Sequence, residues 1–125
     1  MSIKLIRPNA KLPLSSATVH NGVVYVSGMV GFKPGTAELI SDTDVSEQTR
    51  QTLANIDDVL KEAGTSRRNI IRCGVFLKHV EKDFAAMNKV YTEFMGDHRP
   101  ARTTCAADLA LPKILVEIDC IAALA

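Results

Sequence analysis

Near its C-terminal end the chain reads HRPARTTC (residues 98–105), then ADLALPK, then the alternating run ILVEIDCIA. Arg102 opens a Thr-rich extended stretch and Glu117 sits in the run that follows. If these two runs pair as antiparallel strands about a turn between Leu109 and Ala110, Arg102 faces Glu117 across the pair. Two chemistries fit that arrangement. One is a cross-strand ion pair, worth about 0.2–1 kcal/mol on an exposed sheet. The other is a site for a small carboxylate, gripped in a bidentate fork that a guanidinium offers and an ammonium does not. Glu117 would then orient a water molecule. The residues leave both readings open.

Other chemistry-bearing residues form weaker patterns. His20, His79 and His98 lie apart, with no HxH or HExxH spacing, which speaks against a metal site. Ser15, Ser16 and Ser27 have no nucleophile-elbow context around them. Cys105 stands three residues from Arg102 along a strand and so is expected on the opposite face, away from the carboxylate site. Asn88 falls beside the apolar stripe of a helix, as a partly exposed polar residue. Cys73, Cys105 and Cys120 are odd in number and lack CxxC pairing, so neither a disulfide framework nor zinc is expected, and each reads as a small buried apolar residue.

The elements that must position these residues can be read from turns and periodicity. Asn21-Gly22 between two β-rich runs matches a type I′ hairpin. The strand after it, Val23 to Met29, contains Ser27-Gly28, where glycine within a strand marks a bulge or the close approach of another group. Asp44 with Glu47 resembles a capping box, Leu53, Ile56, Leu60 and Ala63 recur at helical spacing, and Gly64 supplies a left-handed stop. Ile70 to Val80 reads as a strand. Asp83 is expected to cap a second helix with Phe84, Met87, Tyr91 and Phe94 on one stripe, ended by Gly96. Strands at Ala101 to Ala106 and Ile114 to Ala123 complete the order β-β-α-β-α-β-β, an α+β fold with two helices on one face of a mixed sheet. In the last strand Val116, Ile118, Cys120 and Ala122 suit a core. Leu115, Glu117, Asp119 and Ile121 make a mixed face of the kind expected where subunits pack around a polar site.

Composition bounds the function. The 125 residues suit a single domain spanning 1–125, with 46% hydrophobic and 23% charged residues, ordinary for a folded globular protein. A formal net charge of +1 gives no footprint for nucleic acid or acidic membranes. No apolar run approaches the ~20 residues of a membrane span, and the N-terminus has no signal-peptide core, so a cytoplasmic location is expected.

YVSGMVG, KEAG, DFAAMNKVYTEFM, RPART and LPKILVEIDCIA, in this order and at these spacings, resemble the Rid (reactive intermediate deaminase) family, also called the YjgF family. The resemblance runs from about Pro8 to Leu124. It implies a chorismate-mutase-like fold, a homotrimer with sites in the clefts between subunits, and hydrolysis of enamine and imine intermediates such as 2-aminoacrylate to 2-oxo acids and ammonia, without a cofactor. It also implies roles for single residues. Arg102 corresponds to the carboxylate-binding arginine and Glu117 to the acid that positions water. Ser27 and Gly28 match a Ser-Gly pair lining the pocket, with the Gly28 N–H able to bond the substrate carboxylate, and Asn88 matches a site-proximal asparagine. Two positions depart from the family pattern: Leu14 stands where tyrosine is common, and Thr104 where many members have cysteine. Alternatives are a noncatalytic binding module for 2-oxo acids, and an endoribonuclease or translation inhibitor. Net charge, low aromatic content and the absence of paired histidines weigh against the last.

Overall fold

A computed structural model describes residues 2–125. Six strands form one sheet: β1 (Lys4–Pro8), β2 (Ser15–His20), β3 (Val23–Met29), β4 (Ile70–Leu77), β5 (Ala101–Ala106) and β6 (Val116–Ala123). Two helices, α1 (Val45–Ala63) and α2 (Val80–Met95), pack on each other, α1 against β1, β2, β3 and β6 and α2 against β4. The fold class is as expected, an α+β domain with a mixed sheet and both helices on one face, with one more strand, β1, than the sequence suggested. KLIRP carries only one apolar residue that turns inward, Ile6. Its two cations and proline hide the strand from a periodicity argument.

The local signals form as their chemistry dictates. Asn21 and Gly22 both adopt positive φ, 49° and 77°, as a type I′ turn between β2 and β3 requires. Asp44 accepts from the Ser46 and Glu47 amides at the start of α1. The reciprocal half of a capping box is missing, because Glu47 pairs instead with Arg50 and the Asp44 amide donates to Ser41 Oγ. Gly64 closes the helix at φ 93°. The second helix begins three residues earlier than Asp83, which is buried within its first turn, and β4 ends at Leu77 rather than Val80. The last strand starts at Val116 rather than Ile114.

The strand order is β1-β2-β3-β6-β4-β5, with β4 and β5 parallel and every other pair antiparallel. This overturns the hairpin expected between the last two strands: β6 lies between β3 and β4, and β5 is an edge strand bonded to β4 alone. The composition of β6 explains its central place. Val116, Ile118, Cys120 and Ala122 are buried under the helices, and the alternate residues are half-buried even in one chain. A strand with no fully exposed face belongs inside a sheet.

The core lies between sheet and helices and includes Val24, Leu53, Ile56, Leu60, Val75, Leu77, Met87 and Ile118. Burial of each such large side chain contributes about 1.5–3 kcal/mol. Buried Gln48 ties loops to that core, donating to the Ser41 and Lys113 carbonyls and accepting from the Leu115 amide. Phe84 and Phe94 depart from the expected stripe: Phe94 packs at the margin of the core and Phe84 is exposed, and each ring carries an arginine, Arg102 over Phe84 and Arg67 over Phe94. Cys73 and Cys120 are buried as expected, whereas Cys105 is exposed on β5.

Candidate functional site

Arg102 lies on β5 in register with Cys73 of β4, which is itself in register with Cys120 of β6. These are core-facing positions, so the arginine turns toward the helices. Its guanidinium sits 4.7 Å from the Tyr91 ring centroid and 5.7 Å from that of Phe84, and its Nη1 donates to Asn88 Oδ1 at 2.8 Å. Next to it, a cavity of about 250 Å³ opens between the end of α2 and the segment leading into β5, lined by Asn88, Tyr91, Met95, His98 and Arg102 among others. Tyr91 is buried and its hydroxyl has no hydrogen-bond partner among the described residues, so burial pushes its phenol well above the usual range. Thr104, two residues along the same face, also holds a buried hydroxyl without a partner.

Glu117 occupies the other face. It is in register with Phe76, and Phe76 with Cys105, so Cys105, Phe76 and Glu117 form one row on the side that no helix covers. Cys105 therefore lies on the face opposite Arg102, as expected, but that face is also the one that carries Glu117. The register of β3 with β6 slips by one residue between Val26 and Met29, the bulge foreseen at Ser27-Gly28. Ser27 Oγ donates to the Ser15 carbonyl at 2.6 Å, anchoring the bulge to the start of β2 just after exposed Leu14. A Cβ on Gly28 would lie 2.9 Å from the Glu117 carboxyl carbon and 3.3 Å from its Cγ. The carboxylate thus rests on bare backbone. Asp119 does the same over Gly74, whose amide donates to its Oδ1 at 3.0 Å.

The expected facing of Arg102 and Glu117 does not occur. They lie two strands apart, about 10 Å across the sheet, are offset along it, and point to opposite faces. No ion pair joins them. Nor does a guanidinium favour the charged form of Glu117: burial first, and then the nearby Asp119 charge, raise its carboxyl above the ordinary glutamate range. One chain therefore holds two half-sites. Arg102, Asn88 and Thr104 belong to the helix side at the β5 edge, while Glu117, Gly28 and Ser27 belong to the open side. Tyr91 and Phe84, which clasp Arg102, were read from sequence only as core residues. Their spacing from Asn88, at i+3 and i−4 on α2, was the available signal.

Among the described residues no group of His, Cys, Asp and Glu is arranged to hold a metal ion, and no helix is long and apolar enough to cross a membrane.

The family model described as Endoribonuclease L-PSP matches residues 5–124. Among curated proteins, the chain is 42% identical over 113 residues to "Protein mmf1, mitochondrial" of Schizosaccharomyces pombe, covering 88% of this chain and 67% of that protein. It is 37% identical over 120 residues to RutC family protein YoaB of Escherichia coli K12, covering 95% and 97%. A solved structure of YyfA from Yersinia pestis, described as a protein of unknown function of the conserved Rid protein family, superposes with a TM-score of 0.90 at 33% identity, covering 98% of this chain and 100% of that one.

Proposed function

Because the chain belongs to the YjgF/Rid family, whose model carries the description Endoribonuclease L-PSP, we propose that it hydrolyses reactive enamine and imine intermediates of the 2-aminoacrylate type to 2-oxo acids and ammonia, in cytoplasmic homotrimers whose sites are shared between subunits. The observation that carries this reading is the opposed placement of the half-sites. Arg102 is poised at a sheet edge, and Glu117 stands on a sheet face that no helix of its own chain covers. Packing the β5 edge of one copy against the open face of the next brings the two together, and a closed ring repeats that contact at every interface.

In such a site Arg102 holds the substrate carboxylate, with help from the Gly28 amide of the neighbouring copy, while Leu14, Ser27, Asn88 and Thr104 line or support the pocket. The enamine first takes a proton at its terminal carbon and gives one up from nitrogen, becoming the imine. Glu117 then removes a proton from water as the oxygen bonds to the imine carbon, and passes that proton to the imine nitrogen. The resulting carbinolamine re-forms a carbonyl and expels ammonia, the second proton reaching nitrogen through Glu117. No cofactor is called for, since imines already hydrolyse in water and positioning with general acid-base transfer supplies the acceleration. The upward displacement of the Glu117 carboxyl suits a group that accepts a proton and gives it back.

The test is steady-state hydrolysis of freshly generated 2-aminoacrylate, read as ammonia release above the spontaneous rate. A protein that binds 2-oxo acids yet leaves that rate unchanged is a binding module instead. One that cleaves RNA equally well with Arg102 intact or replaced by alanine has an activity unrelated to this site.

A further inference from the structure

Phe84, Asn88 and Tyr91 recur at i, i+4 and i+7 along α2, so their side chains fall on one stripe of the helix. All three meet Arg102: the rings approach the guanidinium at 5.7 Å and 4.7 Å, and the Asn88 carboxamide oxygen takes Nη1 at 2.8 Å. That is the one hydrogen bond the Arg102 side chain makes among the described residues. A guanidinium offers two bidentate forks, one end-on through Nη1 and Nη2, the other side-on through Nε and Nη2. With the Asn88 oxygen at Nη1, one of the two nitrogens of the end-on fork already holds an acceptor. The side-on edge carries no such neighbour. The partner is also an amide and not a carboxylate, so it orients the guanidinium without neutralising the charge a ligand would use.

We propose that Asn88 is a positioning residue that, with the Tyr91 and Phe84 rings, presents the Nε/Nη2 edge of Arg102 to the substrate carboxylate at full positive charge. This rests on the reading of Arg102 as the carboxylate anchor. Asn88→Ala frees the arginine, whereas Asn88→Asp discharges it, so the two variants separate orientation from charge.

The experiment compares wild type, Asn88→Ala and Asn88→Asp by calorimetric binding of 2-oxobutanoate, by kinetics on 2-aminoacrylate and by the 15N side-chain spectrum of Arg102. Asn88→Ala is expected to weaken binding and raise KM about 2- to 10-fold, the range of one neutral hydrogen bond, with little change in kcat. Asn88→Asp is expected to weaken binding about 100-fold at neutral pH, and to regain much of it as pH falls through the aspartate range. Equal losses in the two variants, or a loss confined to kcat, overturn the proposal. If wild type neither binds 2-oxobutanoate nor hydrolyses imines, it is the reading of Arg102 as an anchor that falls. The spectrum then stands by itself: a sharp Arg102 Nε–H signal broadened in Asn88→Ala upholds the positioning role, and an unchanged signal overturns it.

Discussion

Replacing Gly28 with alanine separates the chemistry of Glu117 from the stability of the fold. Gly28 is absent from the residues with positive φ, so alanine meets no backbone penalty there. Its new methyl would lie 2.9 Å from the Glu117 carboxyl carbon, against about 3.5–4.0 Å for a relaxed carbon contact. The carboxyl must therefore retreat by roughly 1 Å. It is the free end of a flexible side chain, so the move amounts to a rotamer change of about 0.5–1.5 kcal/mol. Gly→Ala offsets part of that, about 0.4–1 kcal/mol, by restricting the unfolded chain. Net stability should change by less than about 1 kcal/mol, a shift of a few degrees in Tm. A 1 Å error in the group that places the water, by contrast, can lower kcat/KM about 100-fold. The assay is imine hydrolysis alongside thermal unfolding. Activity within twofold of wild type would refute the placement of Glu117, and a collapse in Tm would refute the claim that its carboxyl is free to move.

Three further outcomes follow from the same geometry. Glu117 has a raised folded-state value, so the stability it contributes is fully present below the ordinary glutamate range and is lost as pH rises through the folded value. Glu117→Gln, neutral throughout, should therefore gain in Tm relative to wild type as pH rises above the ordinary glutamate range, and the acid limb of wild-type kcat/KM should lie above that range; a Tm difference independent of pH contradicts this. Arg102→Ala should lower imine hydrolysis at least ~10-fold with the fold intact, and Arg102→Lys should recover little of it, because an ammonium lacks the fork; near wild-type turnover by either shows that the arginine only packs against α2. In Gly31→Ala the new Cβ would meet Gln48 backbone atoms at 2.9 and 3.0 Å, which cannot swing away, so urea unfolding should show a loss of about 1–3 kcal/mol where Gly28→Ala shows little.

The sequence was most legible where one or two residues decide a backbone conformation. Asn21-Gly22, the Asp44 cap, the Gly64 stop and the Ser27-Gly28 bulge all form, because each answers a local steric or hydrogen-bonding demand. The alternation in β6 also sorted its two faces correctly. Beyond the β2–β3 hairpin, strand neighbours were not legible. The hairpin drawn through Leu109 and Ala110 assumed that consecutive strands pair, but the connection carries the chain from the sheet edge across β4 to the centre, where β6 buries its apolar face. Nothing local encodes that choice. The same error placed Arg102 opposite Glu117, when they lie on opposite faces, and so set Cys105 apart from Glu117, whose face it shares. The clasp around Arg102 was hidden because Phe84 and Tyr91 have the same spacing as core residues, and only the position of β5 beneath α2 turns them into partners of a guanidinium.

The central claim is that catalysis needs Arg102 from one copy and Glu117 from another, and subunit mixing tests it directly. Arg102→Ala and Glu117→Gln proteins, each strongly impaired alone, are unfolded together in equal amounts and refolded, with light scattering to confirm that the mixture returns to about three times the 13.6 kDa chain mass. With random assortment in a closed ring, about one site in four receives an intact Arg102 from one variant and an intact Glu117 from the other, so imine hydrolysis should return to roughly a quarter of the wild-type rate. Activity that stays at the level of the separate variants, in a mixture shown to contain both chains, would contradict a site built between subunits.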